Sequence, residues 1–68
     1  MDKFSIVDIG GHARDITYLI KELRQNNLIV TTEKDAAYDT VYLTNNLYAV
    51  RKIMEDYDGL MLDVIKQK

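Results

Sequence analysis

Leu28-Ile29-Val30-Thr31-Thr32-Glu33-Lys34-Asp35-Ala36-Ala37-Tyr38-Asp39-Thr40-Val41-Tyr42-Leu43-Thr44 decides the fold of this chain. Both ends of the stretch are rich in β-branched and aromatic residues, which suit a pleated, half-buried strand. Asp35-Ala36-Ala37 between them reads as a turn. Two such runs joined by a few residues form a hairpin. The expectation is one strand over Leu28–Lys34 and another over Tyr38–Thr44.

The hairpin lies between two segments of a different period. Upstream, Ile16, Leu19, Ile20 and Leu23 recur at i, i+3, i+4 and i+7, and Ala13 extends the stripe. That spacing predicts a helix with one buried face. Asn26-Asn27 ends it, because asparagine tolerates the left-handed conformation of a helix C-terminus. Downstream, Asn45 or Asn46 caps a second helix. Its apolar stripe is Leu47, Val50, Ile53 or Met54, and Tyr57, with Arg51–Glu55 and Lys52–Asp56 as i, i+4 pairs on the wet side. Phe4–Ile9 reads as a first strand stopped by Gly10-Gly11, and Leu60–Lys66 as a last strand opened by Asp58-Gly59.

The order is strand–helix–strand–strand–helix–strand, an α+β chain. Its natural packing is the ferredoxin-like βαββαβ arrangement, a four-stranded antiparallel sheet with both helices on one face and the first and third strands central. No proline, linker or low-complexity tract divides the sequence. Residues 1–68 are therefore expected to form a single α+β domain.

Such a sheet keeps one face free of helices, and strand side chains alternate between faces. The more aliphatic sets, Val41 and Leu43 with Leu60, Leu62 and Val64, are expected to face the helices. Tyr38, Tyr42, Met61 and Ile65 then fall on the open face, joined by Phe4 and Ile6 or else by Val7 and Ile9. Contiguous exposed apolar area marks an interface, and tyrosine and methionine are enriched at interface cores. The partner is expected to be a second copy, giving a homodimer through the sheet. The alternative is another protein, on which the chain docks as an adaptor or inhibitor of the kind phages and mobile elements encode. A 68-residue chain without cysteine has no disulfide to supplement a small core, which also favours association.

Composition narrows the classes further. Eleven acidic residues against nine basic ones leave a net charge of −2, without the basic footprint of a nucleic-acid binder. Paired tyrosines on one face of a central strand resemble the RNA-recognition motif, which stacks bases on such residues. Tyr38-Asp39-Thr40-Val41-Tyr42 carries neither the basic residue nor the glycine of that signature, so nucleic acid is not expected. No apolar run approaches the ~18 residues of a membrane span. Met1-Asp2-Lys3-Phe4 does not open a signal peptide, so a cytoplasmic location is the expectation. One histidine and no cysteine argue against a metal centre, and no cofactor is expected. Ser5 sits mid-strand without a base, and phosphate-loop and dinucleotide motifs are absent. The chain is not expected to be an enzyme.

One loop is distinctive: Asp8-Ile9-Gly10-Gly11-His12-Ala13-Arg14-Asp15-Ile16-Thr17. Its glycines allow a sharp turn and a close approach. The following helix starts with free N–H groups and the positive end of its dipole, a place for a carboxylate or phosphate. His12 and Arg14 can add donors. The alternative is a plain tight turn in which Asp8 or Asp15 serves the helix N-terminus. The stretch resembles the opening of ACT domains, whose Asp-x-Pro-Gly-x-Leu-x-x-Ile-Thr pattern joins the first strand to the first helix. Here Gly10 stands at the proline and Ala13 at the leucine. The resemblance implies a dimerising regulatory module of this topology that binds a small anionic ligand such as an amino acid. It implies ligand-loop roles for Asp8, Gly10, Gly11 and His12. The effector-binding domains of Lrp-type regulators share the topology.

Overall fold

The computed structural model describes residues 1–66. In chain order the elements are β1 (Asp2–Asp8), α1 (Ala13–Gln25), β2 (Thr31–Glu33), β3 (Val41–Thr44), α2 (Leu47–Met54) and β4 (Leu60–Ile65). The strands form one antiparallel sheet in the order β2-β3-β1-β4. This is the expected α+β, ferredoxin-like βαββαβ arrangement, with β1 and β3 central.

Register assigns the buried face. Phe4 lies opposite Tyr42 and Val64, Ile6 opposite Leu62, and Asp8 opposite Leu60. Phe4 joins Leu19 and Leu23 of α1 and Val50 and Met54 of α2 in the core, with Ile6, Tyr42, Leu60 and Leu62 packed against it. Both helices thus cover this one face. Phe4, Leu19, Leu23 and Val50 are fully buried, each contributing about 1.5–3 kcal/mol of burial.

The punctuation read from the sequence has physical counterparts. Asn27 takes φ +57 just past α1. Its N–H donates to the Arg24 carbonyl at 3.1 Å, and that of Leu28 to the Leu23 carbonyl at 2.9 Å. This pair of bonds is a Schellman motif, and Leu28 follows through into the core beside Leu23. Asn46 caps α2, its side chain accepting from the Ala49 N–H at 3.1 Å. The Thr44 hydroxyl in turn accepts from the Asn46 N–H at 3.1 Å. Beyond α2, the Tyr57 hydroxyl donates to Glu22 at 2.8 Å and ties that end to α1. In place of the expected i, i+4 pairs, Lys52 meets Glu55 at 3.9 Å on the exposed side, a contact worth little in water.

The hairpin departs from expectation in two ways. Its arms are short. β2 holds three residues, because Leu28 and Ile29 pack against the core instead of extending the strand. β3 begins at Val41 rather than Tyr38. Asp35 is the cause: its side chain accepts from the Ala37 N–H at 2.8 Å, and its carbonyl from the Tyr38 N–H at 3.2 Å. Aspartate turns of this kind hold the backbone out of the ladder.

The second departure concerns which way β3 faces. Tyr42 lies on the helix side, stacked on Phe4 with ring centroids 5.5 Å apart. Its placement on the open face is therefore corrected. Val41 and Leu43 point away from the helices. The stacked aromatic pair buries more area than an aliphatic residue at that position, so size outweighed hydropathy. Burial raises the Tyr42 pKa, and the Arg24 guanidinium opposes that in part.

Candidate functional site

The helix-free face carries three rows set by register. Val7 opposes Met61, Ser5 opposes Asp63, and Lys3 opposes Ile65 on one side and Leu43 on the other. Val7 is 40% exposed and Met61 54%. Ile9 extends the ladder by one residue, its N–H donating to the Gly59 carbonyl at 2.7 Å, and it is 53% exposed. These three side chains make an apolar patch at one end of the face.

The middle of the face is covered from within the chain. Tyr38, on the loop spanning 34–40, donates its hydroxyl to Asp63 Oδ2 at 2.7 Å. β1 lies between β3 and β4, so this bond carries the loop across the sheet. Val41 and Ser5 are buried beneath it although no helix covers their side. The Tyr38 pKa is raised, first by the hydrogen bond to Asp63, then by desolvation and by the charges of Asp63 and Asp35. At the far end Lys3 meets Glu33 at 3.0 Å beside half-buried Leu43 and Ile65.

Of the four residues expected on this face, Tyr38, Met61 and Ile65 are there and Tyr42 is not. Val7 of β1 and Ile9 just past it join them, while Phe4 and Ile6 turn inward. Asp63 was not singled out from the sequence. A charge alternating with Met61 and Ile65 reads as an ordinary solvated residue until the loop reaches it.

The Gly-Gly turn is closed by its own side chains. Gly10 and Gly11 take φ of +105 and +84, where side chains are strained. Asp8 Oδ2 accepts from the His12 N–H at 2.7 Å, and Oδ1 lies 3.2 Å from His12 Nδ1. His12 occupies the N-cap of α1. Its ring lies against Gly59, so closely that a Cβ there would collide with the imidazole. Arg14 is exposed on the first turn. Asp8, Gly10, Gly11 and His12 thus come together in a braced turn that carries its own carboxylate. Gly59 is the part of this cluster that the sequence marked only as a turn.

No group of three or more histidine, cysteine or acidic residues is placed to hold a metal ion among the described residues. Among the same residues, no helix is long and apolar enough to cross a membrane. Comparison with protein-family models, curated proteins and solved structures finds no match.

Proposed function

We propose that this chain is a protein-interaction module that pairs with a second copy of itself through the helix-free sheet face. The observation that carries this reading is the exposed apolar patch of Val7, Ile9 and Met61 on a face the helices leave open. Apolar area gathered on one surface lowers free energy when it is covered. The charges on the face are already matched. Lys3 holds Glu33, and Asp63 accepts from Tyr38. A face without a block of one sign does not select an oppositely charged partner, and it can meet its own copy about a two-fold axis without repulsion. The resemblance to ACT domains points the same way, since those are dimerising modules.

A small anionic ligand at Gly10-Gly11 forms no part of this proposal. The Asp8 carboxylate already serves the start of α1, and it would repel a second anion.

Sedimentation of the full chain tests the reading. The wild type sediments as a dimer at tens of micromolar, and Met61→Lys sediments as a folded monomer. A wild type that stays monomeric at that concentration overturns self-pairing and leaves docking on a different protein as the reading. A dimer that survives Met61→Lys places the contact elsewhere.

A further inference from the structure

Beside this face lies a cavity that shares Val7 with the self-pairing patch. β1 pairs with β3 only over Asp2–Phe4, whereas its pairing with β4 continues to Asp8. Past Phe4 the chain of β3 leaves the sheet as the 34–40 loop. Between that loop and β1 a cavity of about 390 Å³ opens, with Ser5, Ile6, Val7, Ile16, Tyr38 and Tyr42 in its lining. Small-molecule sites run from roughly 300 to 1,000 Å³.

One lining residue is chemically unfinished. Ser5 is 3% exposed, and its hydroxyl oxygen has no hydrogen-bond partner among the described residues. A buried hydroxyl without a partner is destabilising, and alanine would occupy the same strand position without that cost. Its oxygen has almost no open surface, and a serine hydroxyl has three staggered positions about its side-chain bond, so it must turn from its present position to meet a molecule in the cavity. The walls favour one class of molecule. Two tyrosines and two isoleucines offer apolar contact to a flat body, among polar groups of the same lining. Asp39 lines the cavity while no lysine or arginine does among the described residues, so an anion finds no counter-charge. The Tyr38 hydroxyl is committed to Asp63, which holds its wall in place.

We infer that this cavity is a binding site for a small neutral molecule with a ring-sized apolar body and one hydrogen-bonding group, held by the Ser5 hydroxyl between Tyr38 and Tyr42. The site lies within one chain and shares Val7 with the self-pairing patch.

Amide NMR of the full chain tests this with three probes of one size: benzyl alcohol, toluene, which lacks the hydroxyl, and benzoate, which is charged. Benzyl alcohol produces saturable shifts at Ser5–Val7 and Ala37–Thr40. Toluene and benzoate bind at least roughly tenfold more weakly, because a site built around a hydrogen bond rejects analogues that cannot make it. Ser5→Ala, whose amide spectrum reports that it is folded, binds benzyl alcohol no better than toluene. Ala37→Leu, at an exposed loop position, fills the cavity and removes the shifts. Two results overturn the inference. One is the absence of saturable shifts at these amides with benzyl alcohol. The other is a Ser5→Ala chain that keeps the wild-type preference, which would mean the hydroxyl meets trapped water only.

Discussion

The two faces of the sheet are finished by different means. On the helix side, Phe4, Leu19, Leu23 and Val50 close a dry core from three elements, and Tyr42 is stacked on Phe4 at its margin. On the other side no helix or strand among the described residues lies over the sheet. One loop crosses them, secured by Tyr38 to Asp63, and Val7, Ile9 and Met61 are left in water. The contrast shows that burial on a strand does not follow from strand parity alone. Val41 and Ser5 are as buried as core residues, yet an irregular loop covers them. Substitutions on the first face should cost folding, and those on the second should cost association.

The largest expected effect is at the centre of the helix side. Phe4→Ala leaves a cavity under both helices and should lower unfolding free energy by about 3–5 kcal/mol, read from urea denaturation. A loss under 1 kcal/mol would mean that the core does not rest on β1. Gly59→Ala comes next. The new methyl both meets the His12 ring and adopts φ +83, whereas Gly11→Ala, at φ +84, has open space around it. Gly11→Ala should cost about 1–2 kcal/mol from backbone strain alone, and Gly59→Ala measurably more. Equal losses would show that His12 simply moves aside. Asn46→Ala removes the cap of α2 and should cost about 1 kcal/mol.

The smallest effect belongs to the loop. The Tyr38 pKa is raised above its ordinary value of 10.0, chiefly because its hydroxyl donates to Asp63. A raised pKa means that the folded chain favours the protonated phenol. Its stabilising contribution is whole below pH 10 and lost as pH climbs through the folded value. Ultraviolet titration of the phenols should show a late-titrating group that Tyr38→Phe removes. Tyr57, raised chiefly by its bond to Glu22, and Tyr42, raised by burial, remain as such groups in that variant. A Tyr38→Phe titration identical to wild type would break the loop's attachment to the sheet.

Much of this was legible where the signal was local. Asn27 and Asn46 act within four residues of themselves, through a left-handed backbone and a side-chain cap, so their sequence positions carried their roles. The apolar stripes of α1 and α2 likewise depend on helical spacing alone. Tyr42 was misplaced because its orientation depends on Phe4, nearly forty residues earlier, and no rule internal to β3 contains that stack. The hairpin arms were read too long because Asp35 closes a turn with its own side chain and carbonyl, and that turn competes with the ladder. The Gly-Gly turn was recognised as special. What remained hidden was that Gly59, on a different element, has to stay small for His12 to lie against it.

If the helix-free face meets a second copy of itself, folding and pairing are coupled. Unfolding of a homodimer depends on concentration by mass action, since only the folded state pairs. The urea midpoint, followed from low micromolar to high micromolar protein, tests this directly. The midpoint should rise with concentration for the wild type and stay fixed for Met61→Lys. A wild-type midpoint independent of concentration, or a Met61→Lys midpoint that still rises, would contradict it.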